Sequence, residues 1–369
     1  MTNGLLRDDG SDSGAVALPA HGIFRVLVVK VSHTLGNTLL LTPLLQELER
    51  RYPGAEVDIV TRNAVAPSLF VGYRNVGQVH RLPAHALRHP LQVRATLRAL
   101  RGNRYDLAID ADPRSQTGRL LVNFVRARHS TGFVGQGKQG RVGIAVPMPT
   151  GLRQSELPVH LLREAAGDTD SVGWPSPSLR LSGAERAIGR EQLASVRGLD
   201  PQSQAALRPV IGVFANATGA KRLDGEWWSR FLPVLEQAFG GYDFVEIVPM
   251  TGHSLLDHRY PAYYTGDIRK LATVLSALSV YISADCGVMH LANASGPRTI
   301  GFFPGMELAE WGVSGAGNTN VYLEGRSPER VAAEVVDAIR PDASESAVVG
   351  LRGDWIPPGV VEPAGPRVR

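Results

Sequence analysis

Two short segments of the sequence place a glycine and several polar side chains directly after a run of strand-forming residues. One extends from Ser32 to Asn37 and the other from Asp285 to His290. When a helix follows such a loop, backbone N–H groups at its N-terminus point outwards and can bind an anion. Lobes that each carry such a loop commonly face each other across a cleft. The pattern therefore predicts a cleft that holds a nucleotide-linked substrate against its reaction partner.

The second segment is the more specific of the two. Gly287 has no side chain that would block the close approach of a diphosphate to the helix expected to start there. Asp285 is expected to cap this helix with its carboxylate. His290, about one helical turn beyond Gly287, could donate a hydrogen bond to a phosphate or sugar oxygen. A diphosphate bound in this way needs no metal ion.

A third segment, from Asn216 to Arg222, follows a predicted strand in the second half of the chain. A lysine ammonium and a threonine hydroxyl at the carboxyl end of a strand are suited to bind a diphosphate and to stabilise it as it leaves. We assign this function to Lys221, with Thr218 beside it.

These segments resemble a known family. Residues 30–37 (KVSHTLGN), followed by TPLL at 42–45, are similar to the opening motif of family 9 glycosyltransferases, the heptosyltransferases that build the lipopolysaccharide inner core. Residues 105–115 resemble that family's acceptor-side strand and loop, residues 216–221 its phosphate-binding loop and residues 285–290 its donor motif. The resemblance extends over about residues 24–339.

The resemblance implies an α/β GT-B fold, in which two Rossmann-like, doubly wound lobes face each other across a cleft. The first lobe would bind the acceptor and the second a nucleotide-sugar donor, an ADP-heptose or a similar compound. Transfer would invert the anomeric configuration and require no metal and no cofactor. The implied donor contacts are Thr218, Lys221, Asp285, Cys286, Gly287 and His290. Cys286 stands where the family usually has serine or threonine, and a thiol is the weaker hydrogen-bond donor.

Asn37 departs from the family pattern, which has an aspartate at this point as the general base. A carboxamide has no protonation equilibrium near neutrality, so it cannot take the proton of an acceptor hydroxyl. Losing a positioned base typically lowers the rate by about 10²- to 10⁴-fold. Three explanations stay open: His33 acts as the base, Asp110 or Asp112 does so from a neighbouring strand end, or the protein binds without turnover.

Cationic residues of the first half are candidates for binding an anionic acceptor, because arginine forms paired hydrogen bonds with phosphate or carboxylate. They are Arg62, Arg114, Arg128, Lys138 and Arg141. A separate set recurs at helical spacing and forms either a solvated helix face or one that meets lipid or acceptor phosphates. This set is Arg94, Arg98, Arg101 and Arg104.

Composition limits the class of protein. A chain of 369 residues is long enough for two domains. Its 43% hydrophobic and 20% charged residues are typical of a soluble globular protein, and no apolar run is long enough to cross a bilayer. The single cysteine excludes an internal disulfide, and no apolar signal-peptide core precedes residue 22. A net charge of +4 with scattered arginines does not indicate nucleic-acid binding. We expect a cytoplasmic protein that could contact the inner membrane peripherally.

Strand and helix patterns alternate along both halves, as in doubly wound sheets. Strands are predicted at 24–31, 56–61, 76–82, 105–111, 209–215, 242–248, 280–283, 299–303 and 321–323. Helices are predicted at 39–52, 91–100, 115–125, 226–239, 268–278, 287–294 and 328–339, with Pro43 either starting a helix or kinking one. The predicted division is a disordered leader at 1–22, an acceptor lobe at 23–178, a donor lobe at 179–340 and a proline- and glycine-rich tail at 341–369.

These observations favour an inverting glycosyltransferase that moves a sugar from a nucleotide diphosphate to a hydroxyl of a glycan or glycolipid. The alternative is a catalytically silent nucleotide-sugar-binding protein of the same fold, which Asn37 favours. A nucleotide-sugar epimerase would need carboxylates and a histidine converging on one sugar, and the sequence does not locate such a set.

Overall fold

The structure is a computed structural model that describes residues 17–134, 138, 140–168, 172–249, 252–305 and 307–340. Its strands form two sheets of six parallel strands each, and helices connect most of the consecutive strands. We call the part built on the first sheet the first lobe and the part built on the second sheet the second lobe. Among the described residues, no helix is both long enough and apolar enough to cross a lipid bilayer.

The first lobe has its strands in the order β3-β2-β1-β4-β5-β6. They are β1 (Arg25–Val29), β2 (Glu56–Thr61), β3 (Val76–Arg81), β4 (Leu107–Asp110), β5 (His129–Phe133) and β6 (Ile144–Val146). Its helices are α1 (Leu35–Leu39), α2 (Thr42–Arg51), α3 (Ala66–Phe70), α4 (Pro90–Gly102), α5 (Gln116–Val125) and α6 (Leu157–Ala165).

The second lobe repeats this plan. Its strands are β7 (Val210–Phe214), β8 (Asp243–Ile247), β9 (Ala262–Tyr263), β10 (Val280–Ala284), β11 (Arg298–Phe303) and β12 (Thr319–Tyr322), and its helices are α7 (Gly183–Val196), α8 (Gly225–Ala238), α9 (Ile268–Leu275), α10 (Gly287–Ser295), α11 (Leu308–Trp311) and α12 (Pro328–Ile339). The order β9-β8-β7-β10-β11-β12 is the same as in the first lobe.

The strand order fixes where a ligand can bind. In each sheet the chain first builds outwards on one side and then crosses to the other, so the order reverses between β1 and β4 and between β7 and β10. Loops at the carboxyl ends of such a pair diverge to opposite faces and leave a crevice between them. The loops after β1, β4, β7 and β10 therefore line the candidate site. All five residues of β7 and of β10 are buried, as expected for a sheet covered on both faces.

Most of the predicted elements are present within a residue or two of their predicted bounds. Of the two alternatives for Pro43, the structure shows that it starts a helix, because it lies in the first turn of α2 and α1 forms a separate short helix before it. The sequence interpretation missed the elements β5, β6, β9, α1, α3, α6, α7 and α11. Glycines and prolines at residues 135–157 and 173–177 hid the short β6 and the start of α6. Helix α7 contains several small and charged residues and begins with a capping box made by Ser182 and Glu185.

The predicted leader was wrong in part. Leu18 is only 3% exposed, and its N–H donates to Ala165 O at 2.7 Å in α6. Tyr52 OH donates to Pro19 O at 3.1 Å, which holds the same segment against α2. The buried Leu18 side chain and these two hydrogen bonds thus add the segment from residue 17 to the first lobe. The rest of the predicted leader and the predicted tail at 341–369 lie outside the described residues.

The chain passes between the lobes near Ser178, where the domain boundary was predicted. Ser178 N donates to Thr42 Oγ1 at 3.1 Å, and Tyr73 OH donates to Ser178 O at 2.8 Å, so the first lobe holds this residue. The next residue, Leu179, donates its N–H to Ala294 O of the second lobe at 2.8 Å. Adjacent residues are thus tied to different lobes.

We predict that Leu18→Ala lowers the free energy of unfolding by about 2–5 kcal/mol, because it removes a buried side chain that holds the first described segment. Phe24→Ala is the matched control, since Phe24 is 69% exposed, and it should change the stability by less than about 0.5 kcal/mol. Urea unfolding of both variants measures the difference. Equal effects would show that residues 17–22 do not contribute to the packed core.

Candidate functional site

The two glycine loops predicted from the sequence meet at the lobe interface, where α1 packs against α10. A methyl group on Gly36 would lie 2.8 Å from Cδ2 of His290, and one on Gly287 would lie 3.1 Å from Cβ of Leu35. Both distances are shorter than normal carbon–carbon contact. The close approach of the two lobes therefore requires glycine at both positions.

Lys221 and Asp285 form an ion pair at the switch point of the second lobe. Lys221 lies in a short 3₁₀ helix (Gly219–Lys221) after β7, and Asp285 directly follows β10. Since β7 and β10 are paired neighbours with Phe214 beside Ser283, their carboxyl ends bring these two residues together. Asp285 is 5% exposed at its side chain and Lys221 35%, so the ammonium faces the crevice while the carboxylate lies beneath it.

The N-terminus of α10 has no side-chain cap within the part of the chain that the structure describes. The expectation that Asp285 caps the helix was wrong. Cys286 occupies the N-cap position with extended backbone, and the Asp285 carboxylate is engaged by Lys221. The first N–H groups of a helix have no partner inside the helix, so the uncapped end offers them to an anion. Cys286, Gly287 and Val288 are each partly exposed.

His290 lies under this helix end and is 4% exposed. Its Nε2 is 3.7 Å from Asp285 Oδ1, and its buried Nδ1 has no hydrogen-bond partner among the described residues. Burial lowers the pKa of His290 to about 4; Asp285 opposes this shift and Lys221 adds to it. The imidazole is therefore neutral at physiological pH. Burial raises the pKa of the Cys286 thiol to about 11, so the thiol stays protonated as well.

Thr218, the other predicted donor residue of the second lobe, lies at the N-cap of the 3₁₀ helix with its side chain exposed and not used as a cap. Gly219 beside it has a φ of +68°, a left-handed conformation that glycine adopts without strain. Asn216 Nδ2 donates to His253 O at 3.1 Å and ties this loop to the one after β8. The six predicted donor residues thus lie on two adjacent loops.

In the first lobe, Asn63 holds the opening loop in place, and the sequence interpretation missed this residue. Its Nδ2 donates to Thr34 O at 3.1 Å and to Thr38 Oγ1 at 2.8 Å, and its side chain is buried. Asn63 comes two residues after β2. A polar residue just after a buried strand is the signal that could have identified it.

The three predicted catalytic candidates are solvent-accessible to different degrees. His33 is exposed, Asn37 and Asp112 are partly buried, and within the described residues neither His33 nor Asn37 makes a side-chain hydrogen bond. Asp112 Oδ1 accepts from Arg114 N at 3.0 Å, which fixes the direction of the carboxylate. Because β1 and β4 pair side by side, Asp112 lies at the same switch point as the glycine loop.

Asp110 is excluded as the base by its surroundings. It is fully buried, and its Oδ2 accepts from Arg119 Nε at 2.8 Å and from Lys138 Nζ at 2.7 Å. Its other oxygen, Oδ1, is also buried and has no hydrogen-bond partner among the described residues, so neither oxygen is open to an acceptor from solvent. Asp110 therefore anchors cations inside the lobe.

Lys30 was not among the predicted site residues, although it opens the motif. It is 6% exposed, and its Nζ donates to Ala111 O at 3.5 Å. Burial lowers its pKa, and the nearby carboxylates of Asp112 and Asp110 oppose this shift. The buried Lys30 amine is thus within electrostatic range of the Asp112 carboxylate.

The structure separates the predicted acceptor residues into two groups. Arg62 and Arg114 lie just beyond the carboxyl ends of β2 and β4, beside the cleft, and Lys138 reaches the end of β4 but is occupied by Asp110. Arg128 and Arg141 precede β5 and β6. Since amino ends of parallel strands lie at the opposite edge of a sheet, the expectation that Arg128 lies near the cleft was wrong. Arg141 follows Gly140, whose carbonyl accepts from Arg119 Nη1 at 3.3 Å, and for Arg141 that expectation stays a prediction.

Arg114 also connects the lobes. Its guanidinium pairs with Glu310 Oε1 at 3.3 Å, and Gln154 N donates to Glu310 O at 2.9 Å. The Arg114 side chain is 78% exposed, so this ion pair contributes little to stability. Arg114 can exchange Glu310 for another anion without a large loss of stability.

Among the described residues, no three His, Cys, Asp or Glu side chains are grouped as metal ligands would be.

Comparison with solved structures identifies the fold. A family 9 glycosyltransferase from Veillonella parvula DSM 2008 superposes with a TM-score of 0.72 at 17% sequence identity, covering 87% of this chain and 97% of that one. The E. coli ADP-heptose lipopolysaccharide heptosyltransferase II gives 0.61 at 19%, covering 86% and 98%. E. coli heptosyltransferase WaaC with ADP-2-deoxy-2-fluoro heptose gives 0.63 at 18%, covering 85% and 98%. No protein-family model and no curated protein sequence matches the chain.

These similarities confirm the predicted fold class, a GT-B fold with two Rossmann-like lobes, and they confirm the resemblance to family 9 at the level of the fold. The assignment of individual site residues to a donor, an acceptor or a base stays a prediction.

We predict that Gly36→Ala separates the lobes, because the added methyl group would overlap the buried His290 ring. Small-angle scattering should show a larger radius of gyration than for the native chain. Gly183→Ala is the control, since a methyl group there meets no atom within 4 Å. An unchanged radius for Gly36→Ala would mean that the contact between α1 and α10 does not determine how the lobes are held.

We also predict a pH dependence that His290 causes. The folded chain keeps this side chain neutral down to about pH 4, whereas the unfolded chain protonates it below about 6.5. Its contribution to stability is therefore fully present above pH 6.5 and is lost as the pH falls towards 4. The free energy of unfolding of the native chain should decrease relative to that of His290→Gln across this interval. The exposed His21→Gln should track the native chain, and parallel curves for all three would contradict the assignment.

Proposed function

We propose that this protein is an inverting glycosyltransferase that moves a sugar from a nucleotide-diphosphate donor to a hydroxyl of a glycan or glycolipid acceptor. The observation that carries the proposal is the uncapped N-terminus of α10 beside the partly exposed ammonium of Lys221. Both lie at the switch point of the second sheet, where nucleotides bind in open parallel sheets.

The donor diphosphate would bind across these two positive groups. The N–H groups at the start of α10 and the Lys221 ammonium stabilise the charge that grows on the diphosphate as the bond from the anomeric carbon to phosphate oxygen breaks. Lys221 would turn from its ion pair with Asp285 towards the phosphates. Neutral His290 could donate one hydrogen bond to the donor. Thr218 and Cys286 belong to the same two loops and could each donate a further hydrogen bond. No metal and no cofactor takes part in this proposal.

The choice of an ADP-linked heptose as donor rests on fold similarity. The E. coli structures that share the fold were determined as heptosyltransferases with ADP and with an ADP-heptose analogue. The family motif in residues 285–290 adds sequence support for a nucleotide-sugar donor. Lipopolysaccharide synthesis on the cytoplasmic face of the inner membrane is the corresponding proposed setting.

Asp112 is the strongest candidate for the base that replaces the missing aspartate at position 37. In the reaction the acceptor oxygen forms a bond to the anomeric carbon, its proton passes to the base, and the nucleoside diphosphate leaves. Asp112 has a fixed orientation through Arg114 N, and its carboxylate interacts electrostatically with the buried Lys30. His33 is exposed and makes no side-chain hydrogen bond to a described residue that would hold it towards an acceptor.

A silent nucleotide-sugar-binding protein is the second candidate, and Asn37 is the observation that favours it. The donor-binding half of the site would be the same in both cases. Only the fate of the bound sugar differs between them.

We predict that Lys221→Met weakens the binding of ADP or an ADP-sugar by about tenfold to a hundredfold, as expected for one charge-assisted hydrogen bond. Titration calorimetry measures this change. Lys270→Met, which removes an exposed lysine from the same lobe, should bind as the native chain does. Equal affinities in all three proteins would place the diphosphate elsewhere.

A turnover assay with an ADP-sugar, which measures hydrolysis of the donor or transfer of its sugar, distinguishes the two candidate functions. Asp112→Ala should lower the rate by about 10²- to 10⁴-fold if Asp112 is the base, with donor affinity unchanged. Loss of activity in His33→Ala instead would transfer the assignment to His33. A native chain that binds donor without turnover, and gains activity through Asn37→Asp, would establish the silent binder.

A further inference from the structure

One face of the first lobe is cationic without any acidic residue on its helices. From Arg81 to Arg104 the chain contains six arginines and no aspartate or glutamate, and α5 also has no acidic residue. Arg94, Arg98 and Arg101 are exposed on α4. We call this surface of α4 and α5, together with the segment that leads into α4, the α4 face. Its charge is complementary to a surface that carries phosphates.

The same face exposes large apolar side chains. Leu87 is 98% exposed, Leu91 81% and Leu120 54%. A single exposed leucine needs no explanation, but three on one cationic face form a pattern. Leucines together with arginines on one helical surface are typical of helices that lie in the interface of a bilayer.

An apolar pocket of about 410 Å³ lies between α4 and α5 on this face. Its walls are largely formed by Leu82, Val93, Leu97, Leu121 and Phe124, and Arg62 lines it too. The buried Nε of Arg62 has no hydrogen-bond partner among the described residues. A pocket with apolar walls and a cation suits a molecule with a hydrocarbon chain and a negative group.

The arginines and the pocket are continuous. The Arg101 guanidinium lies over the Phe124 ring, 5.2 Å from its centroid, and Phe124 lines the pocket. At the other side, Arg62 N donates to Ser32 O at 3.1 Å, so the pocket borders the opening loop of the cleft. A membrane bound to the α4 face would thus lie beside the acceptor side of the cleft.

We propose that the α4 face docks on a bilayer that contains anionic lipid. The leucines enter the interface, the arginines contact lipid phosphates, and the pocket takes an acyl chain. This binding does not depend on glycosyl transfer, and so its failure would leave the proposed function intact.

Sedimentation of the full chain with vesicles tests the proposal. Vesicles of phosphatidylcholine with a third of phosphatidylglycerol should bind the native protein, and pure phosphatidylcholine vesicles should bind it far less. The double variant Arg94→Gln, Arg98→Gln should lose about 30-fold in affinity, since each basic residue near the surface contributes about fivefold. The double variant Leu87→Gln, Leu91→Gln should lose about tenfold or more.

Matched controls come from the second lobe. Arg190→Gln removes an exposed arginine and Leu207→Gln a leucine that is 74% exposed, and both should bind as the native chain does. Absence of native binding to the anionic vesicles would overturn the proposal. A loss caused by the arginine changes but not by the leucine changes would also overturn it, because that result describes a general polyanion site. Equal losses in the controls would show that the α4 face is not the docking surface.

Discussion

The contact between Gly36 and His290, with its counterpart between Gly287 and Leu35, determines how this molecule is assembled. Each lobe presents a helix start at the carboxyl edge of its parallel sheet, and the two helix starts can meet only where side chains are absent. The site is therefore a consequence of close backbone approach. Because the same glycines lie in the candidate ligand loops, the packing of the lobes and the space for a ligand depend on the same two positions.

The accessible charge has opposite signs on the two sides of this contact. In the second lobe a carboxylate is covered by a lysine, and the histidine below is kept neutral by burial, so the accessible charge is positive. In the first lobe, Asp110 is neutralised by Arg119 and Lys138, which leaves Asp112 as the accessible carboxylate at the switch point. Sugar transfer requires a positive pocket for the leaving group and, opposite it, a carboxylate that can accept a proton.

The sequence predicted the fold well because parallel sheets buried on both faces leave dense apolar runs, as in β1 and β7. It failed where the signal depends on tertiary contact. In the sequence, Leu18 belongs to a polar leader, but in the structure its N–H donates to Ala165 O in α6. In the sequence, Arg128 is a first-lobe cation like Arg114. Only the direction of β5 shows that it lies at the amino edge of the sheet, opposite the cleft. The partner of Asp285 could not be read either, since Lys221 is distant in sequence.

The most direct test of this account is a crystal structure of the chain with ADP or an ADP-sugar bound. The account predicts diphosphate density between the Lys221 ammonium and the N–H groups that start α10, with Lys221 turned from Asp285. A nucleotide bound away from the carboxyl ends of β7 and β10, or a diphosphate that contacts neither Lys221 nor α10, would contradict it.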